Sequence, residues 1–332
     1  MRVLAAGTIM VDVMAVELPS VAAPGEVIYT AVDTHIGGHP IDVAIDLVKL
    51  GRAAEEVAVA AAVGNGPFGS FVREVMTEYG VSTFLQDVPS EDTGRNLVLE
   101  VRGEDRRFHL DPGANWLLSA EHISSALAAW KPDLFTLRPG YTGIDLALPE
   151  ILAPLTDTVI FLDIMQPHPD RPPYFVRDAL PFVDLLHCNE GEALINTGAL
   201  TLEAAVEEFL DVGVKLVLVT DGDQGARAFT HSWEVAQHGF RVDSIDATGC
   251  GDAFCAGVLL YLDEHGLPPL GDLGPDQLIE LLISGQAVGA SASTAVGCVE
   301  GVSAETTAAI FAEQGNAVRQ ATQTNERQGR RT

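Results

Sequence analysis

Short apolar runs, spaced by stretches of helical period, constrain this chain's fold more than any other feature. The first run is Val3-Leu4-Ala5-Ala6-Gly7, and others cover 57–63, 134–137, 159–164, 183–186 and 216–219. Runs of this length read as strands buried on both faces. Between them, apolar residues recur at three- and four-residue spacing over 41–50, 68–78, 120–130 and 202–210, as amphipathic helices require. Strand and helix in alternation predict an α/β fold, a parallel sheet with helices on both faces. Two stretches, 13–36 and 92–112, break the rhythm and read as extended. The second alternates through Asn96-Leu97-Val98-Leu99-Glu100-Val101 and turns at Arg102-Gly103-Glu104-Asp105. Together they predict a small antiparallel sheet covering a site at the C-terminal strand ends, where open α/β sheets bind ligands. Helices at 276–294 and 304–312 close the pattern, and a polar tail over 317–332 should fray.

Charge narrows the function. Lys and Arg total 19 against 47 Asp and Glu, a formal net charge of -28 over 332 residues. Such a field repels a phosphate backbone and an anionic membrane surface, so neither nucleic acid nor membrane is an expected partner. No stretch is long and apolar enough to span a bilayer, and the start lacks a signal-peptide layout, so the cytoplasm is the expected location. Cys188, Cys250, Cys255 and Cys298 form no CxxC pair and no zinc spacing, and read as small buried hydrophobes in a reducing compartment.

Most of the chemistry sits in Asp246-Ala247-Thr248-Gly249-Cys250-Gly251-Asp252, which leads straight into an apolar helix. Glycines let backbone amides face a ligand, and the helix N-terminus adds its positive end, so the turn suits an anion. A carboxylate there makes sense if Asp252 draws the proton from an attacking hydroxyl while the amides hold a transferring phosphoryl group. Equally, Asp252 alone reads as an acidic residue in a helix's first turn. No Gly-Lys pair occurs, so a lysine-bearing phosphate loop is excluded, and none of Lys49, Lys131 and Lys215 should be essential. Gly64-Asn65-Gly66-Pro67-Phe68-Gly69 matches a dinucleotide-binding GxGxxG, with Asp87 and Glu91 downstream. That leaves an NAD-linked oxidoreductase as a rival, although the match follows the second core strand rather than the first.

Five motifs in order make the chain resemble the ribokinase (PfkB) family of carbohydrate kinases. The family's closing signature is similar to Asp246 through Asp252. Its opening Gly-Gly turn resembles Gly37-Gly38-His39-Pro40-Ile41-Asp42, with the helix ending at Leu50-Gly51. Val63 through Gly69, Asn189-Glu190-Gly191-Glu192 and Thr220-Asp221-Gly222-Asp223-Gln224-Gly225 match the remaining three. The resemblance implies a three-layer α/β sandwich with a Rossmann-like central sheet and a small β lid. Its core would comprise 1–12, 37–91 and 113–316, and its lid 13–36 and 92–112. It implies ATP-dependent phosphorylation of a hydroxyl, usually primary, on a sugar or polyol. Asp252 would be the base, and the amides of Gly249, Cys250 and Gly251 the anion hole. Thr220, Gly222 and Gly225 would line the nucleotide, with Asn189 and Glu192 organising Mg²⁺ through water and 290–301 bordering the adenine. Asp246 and Thr248 fall where many members hold a monovalent cation such as K⁺. Asp12, Gly37, Gly38 and Asp42 would bind the sugar, and the lids would pair into a homodimer.

Two positions depart from the family. Asp42 stands where Asn is usual, so the substrate should offer hydroxyl donors there, Asp42 should pair a cation, or it merely answers the helix dipole. Arg138 falls where some relatives place an acid. It reads as a clamp for a substrate carboxylate or phosphate, as a counter-ion for Asp42, or as a surface ion pair. His39 and His168 show no partner spacing and read as structural. A non-catalytic sugar-binding relative is the second rival, and ribose, fructose, a sugar acid, an inositol and a nucleoside stay open as substrates.

Overall fold

The computed structural model describes residues 1–104, 106–171 and 174–327; Asp105 of the expected turn and 328–332 of the expected tail lie outside the described residues. In chain order, β1 (Val3–Gly7) is followed by β2 (Met10–Leu18), β3 (Val32–Gly37), α1 (His39–Lys49), β4 (Val57–Gly64), α2 (Pro67–Tyr79) and β5 (Ser82–Val88). Then come β6 (Arg95–Val101), β7 (Arg107–Asp111), α3 (Ala120–Trp130), β8 (Leu134–Arg138), α4 (Leu148–Leu152), β9 (Val159–Asp163), β10 (Leu185–Asn189) and α5 (Glu190–Thr197). The rest is α6 (Leu202–Asp211), β11 (Leu216–Thr220), β12 (Ala226–Phe229), β13 (Trp233–Gln237), α7 (Cys250–Glu264), α8 (Pro275–Ala292), α9 (Ala304–Ala321) and β14 (Gln323–Glu326).

The main sheet runs β14-β13-β12-β11-β10-β9-β8-β1-β4-β5. Every side chain of β1 and β4 is buried, because both sheet faces are covered. Val3 and Val57 pack into the core under α1, α7 and α8, whereas Leu4 and Ala58 pack into the core under α3, α4 and α6. The period of two in a strand thus supplies both layers from one segment. Strands β5 through β11 in this order are parallel, as expected, but β12, β13 and β14 are antiparallel. Only a tight turn separates β11 from β12, and a parallel return would need a crossover of a dozen or more residues. The chain at 317–321 does not fray: α9 continues to Ala321, and β14 then pairs with β13.

The second sheet runs β3-β2-β6-β7. Its two hairpin pairs are antiparallel, but β2 and β6 run parallel, so the sheet is mixed rather than antiparallel. Both strands leave the same end of the main sheet, after β1 and β5, and so travel side by side. Residues 19–31 form no strand. From β1 the chain proceeds to β4 on one side and later returns as β8 on the other, which opens a crevice at their C-terminal ends. Among the described residues, no helix is long and apolar enough to cross a membrane.

Candidate active site

The turn before α7 is fixed by Asp246. Its Oδ1 accepts from the Thr248 amide (2.9 Å) and hydroxyl (2.6 Å), and its Oδ2 from the Gly297 amide (3.0 Å). Gly249 then takes φ +76°, and a Cβ there would stand 2.4 Å from the Cys298 carbonyl oxygen, so only glycine fits. Helix α7 starts at Cys250, which puts Gly251 and Asp252 in a first turn whose amides lack intrahelical acceptors. Cys250 and Gly251 face a cavity of about 660 Å³ at the ends of β8 to β11, while Gly249 is packed behind them against Cys298.

Asn189, Glu192, Thr220, Gly222 and Gly225 line that same cavity. Asn189 caps α5 reciprocally with Glu192: Asn189 Oδ1 accepts the Glu192 amide at 2.9 Å, and Glu192 Oε2 accepts the Asn189 amide at 2.8 Å. Burial pushes the Glu192 carboxyl up. Of the 290–301 segment, Ala290 and Ser293 reach the cavity, whereas Cys298 lies beside Asp12 at the other end of the site. Among the described residues lining the cavity there is no lysine, and Arg138 and His187 supply its basic groups.

Asp252 is 5% exposed and heavily engaged. Arg138, the last residue of β8, approaches both of its oxygens, at 2.9 Å from Oδ1 and 3.1 Å from Oδ2. The same guanidinium grips Asp163 Oδ2 through Nε and Nη2. His39 at the start of α1 sets Nδ1 2.7 Å from Asp252 Oδ1 and 3.1 Å from Asp163 Oδ2, with Nε2 2.7 Å from the Thr136 hydroxyl. His187 joins from β10, its Nδ1 2.7 Å from Asp163 Oδ1 and its Nε2 3.1 Å from the Thr220 hydroxyl. Burial alone would push Asp163 up, but Arg138, His187 and His39 outweigh it and hold the carboxyl well below the usual range. Burial alone would strip the His39 proton, but Asp163 and Asp252 outweigh it and raise its proton affinity. Arg138 is therefore not a surface ion pair, since its charge is already paired within the site, and His39, which showed no partner spacing, has two carboxylate partners. His168, by contrast, packs edge-on to Trp116 at 5.0 Å.

The sugar-facing candidates meet where the small sheet meets α1. Asp12 of β2 lies opposite Asn96 and His35 in register. Burial pushes its carboxyl up, against the pull of Cys298 and Asn96. Gly37 leaves room for Asp12: a Cβ there would sit 2.8 Å from Asp12 Oδ2. Gly38 has φ +102°, and its amide donates to Asp42 Oδ2 at 3.0 Å. Asp42 Oδ1 is buried without a partner among the described residues, and burial, with the nearby charges of Asp252, Asp46 and Asp12, pushes this carboxyl well up.

Asp246 and Thr248 meet a side chain that the sequence reading did not single out. Arg106, from the β6–β7 turn, donates to Asp246 Oδ1 at 2.8 Å and also reaches the Thr248 hydroxyl. The GxGxxG stretch makes no bed for a pyrophosphate. Its Gly64 amide donates to the Thr93 hydroxyl, and Cβ atoms at Gly64 and Gly69 would fall 2.2 Å from Glu91 O and 1.9 Å from Gly64 O. Sequence reasoning missed Asp163, His187, Asn96 and Arg106. The available signal was a polar residue at the C-terminal end of an apolar strand, which Asp163 and His187 both carry.

Known proteins resemble this chain in sequence and in fold. The pfkB family carbohydrate kinase model matches residues 2–305. A fructokinase of Klebsiella pneumoniae is 27% identical over 280 residues, 79% of this chain and 87% of its own length. A ribokinase of Haemophilus influenzae is 25% identical over 261 residues, covering 75% and 82%. Among solved structures, ribokinase from Giardia lamblia superposes with a TM-score of 0.81 at 20% identity over 94% of this chain and 98% of its own. A putative ribokinase II from E. coli in complex with ATP and Mg²⁺ gives 0.74 at 23%, over 94% and 99%. The fold is that of the ribokinases, an α/β sheet assembly with a smaller second sheet, and the chain belongs to the pfkB family of carbohydrate kinases.

Proposed function

We propose that this sugar kinase transfers the γ-phosphoryl group of ATP to a hydroxyl, usually primary, of a neutral sugar, with Asp252 as general base. The observation that carries the reading is Asp252 itself. It stands in the first turn of α7, between the cavity lined by Asn189, Thr220 and Gly251 and the end where Asp12 and Asp42 lie. In the transfer, the substrate oxygen bonds to the γ-phosphorus as the bond from phosphorus to the ADP oxygen breaks, and the hydroxyl proton passes to Asp252. The amides of Cys250 and Gly251, which face the cavity, would stabilise the equatorial oxygens, with Gly249 shaping the turn behind them. Thr220, Gly222 and Gly225 would border the nucleotide. Mg²⁺, bound with ATP, would offset phosphate charge; the oxygen donors of Asn189 and Glu192 suit so hard a cation held through water.

Neutral acceptors are favoured because the Arg138 charge is committed to Asp163 and Asp252, while Asp12, Asp42 and Asn96 bring no positive charge to hold an anionic substrate. An ATP-consumption screen over sugars, sugar acids, polyols and nucleosides tests the reading. Fructose and ribose should turn over, sugar acids should rank below them, and ATP binding without turnover on any of them would favour a non-catalytic relative. The same reading includes a homodimer through the small sheet, whose face opposite Asp12 exposes Val32 and Leu97.

A further inference from the structure

Four charged side chains from four elements form one cluster: His39 of α1 and Arg138 of β8 each touch both Asp252 of α7 and Asp163 of β9. Both carboxylates face His39 Nδ1, so that nitrogen carries a hydrogen; a lone pair there would meet two negative oxygens. Counting His39 as imidazolium, Arg138 and His39 set two cations against the two carboxylates at the wall of the cavity. Asp163 anchors both cations.

We propose that Arg138 and His39 are positioning residues of the phosphoryl transfer, which fix the Asp252 carboxylate and supply the positive charge that its protonation uncovers beside the arriving phosphoryl group. The inference rests on Asp252 being the base. Before transfer, the negative charge of Asp252 cancels one of the two cations. When Asp252 takes up the substrate proton, Arg138 and His39 outnumber Asp163, and the cluster becomes net positive as the new phosphate ester forms nearby. Little reorganisation is required, because the guanidinium fork and the imidazole are already held from the far side by Asp163 and Thr136.

The experiment is a double-variant cycle, read as kcat and KM for ATP with fructose or ribose as acceptor, together with thermal melts. Arg138→Met should lower kcat by about 10²-fold with KM for ATP little changed. Arg138→Lys, which keeps the charge and loses the fork, should recover part of that loss. His39→Asn keeps a donor where Nδ1 stands and should be several-fold more active than His39→Ala. In an Asp252→Asn background, Arg138→Met should cost almost nothing further, since its effect passes through the base. Equal, multiplicative losses in both backgrounds overturn the inference. Near-normal turnover of Asp252→Asn alone overturns instead the assignment of the base.

A readout independent of any acceptor follows His39 by ¹⁵N NMR in the unliganded protein. The groups facing it are Asp252 on α7 and Asp163 on β9, with Arg138 on β8 beyond them. His39 should keep its proton above the ordinary histidine range and lose it at lower pH in Asp252→Asn. Identical titration in the two proteins overturns the inference.

Discussion

Asp46 lies one turn after Asp42 on α1, with both carboxylate oxygens buried and without hydrogen-bond partners among the described residues. Burial pushes its proton affinity well up, more than Lys49 pulls it down. A carboxyl raised in the folded state contributes stability at low pH and loses it as pH rises above the unfolded value near 4. Asp46→Asn should therefore raise the melting temperature, and more at pH 8 than at pH 5; an equal shift at both would contradict this. Asp163 has the opposite sign. Its depressed carboxyl stabilises the fold fully above about pH 4 and loses that contribution as pH falls toward its folded value. Asp163→Asn should cost about 3–5 kcal/mol in urea unfolding at pH 7, since it leaves Arg138 and His39 half-paired, and the difference should shrink in acid. Gly38→Ala has a geometric cause. At φ +102°, a Cβ 2.2 Å from the Thr8 carbonyl oxygen forces the turn to move, so sugar KM should rise while ATP binding holds.

At the scale of elements, the reciprocal cap of α5 and the proposed Mg²⁺ role of Glu192 are separated by one substitution. Glu192→Gln keeps a side-chain acceptor for the Asn189 amide, so unfolding should shift by less than about 1 kcal/mol. If Glu192 helps to hold Mg²⁺, the same variant should need more Mg²⁺ for half-maximal rate; an unchanged requirement would remove Glu192 from that role. The β6–β7 turn delivers Arg106 to Asp246, the carboxylate for which the family resemblance implied a monovalent cation. Replacing K⁺ with tetramethylammonium at constant ionic strength should leave kcat within about twofold, whereas Arg106→Ala should lower the rate and make it respond to K⁺. A rate that collapses without K⁺ in the unaltered protein would contradict this.

Viewed as a whole molecule, what was legible in the sequence follows from the range of each signal. Strands β1, β4 and β8 to β11, with helices α1, α2, α3, α6, α7 and α8, declare themselves locally, because burial on both sheet faces writes continuous apolar runs and each covering helix writes its own period. The 246–252 turn was equally local: glycine next to a carboxylate at a helix start states its chemistry within seven residues. Strands β12 to β14 escaped because they are short segments of mixed polarity, and the parallel β2–β6 pair because pairing between separate excursions leaves no local trace. The cluster around Asp252 was the least legible part. His39 lies 213 residues from Asp252, and Arg138 lies 114 away, so no spacing rule links them. Only the arrival of α1, β8, β9 and α7 at one crevice turns a strand-end Arg and a helix-start His into neighbours of Asp252.

Steady-state turnover of Asp252→Asn tests the central claim most directly. With ATP and the best acceptor from the screen, kcat should fall by roughly 10²-fold or more, while ATP affinity and the melting curve stay close to those of the unaltered protein. A folded variant that turns over within a few-fold of it would contradict the account.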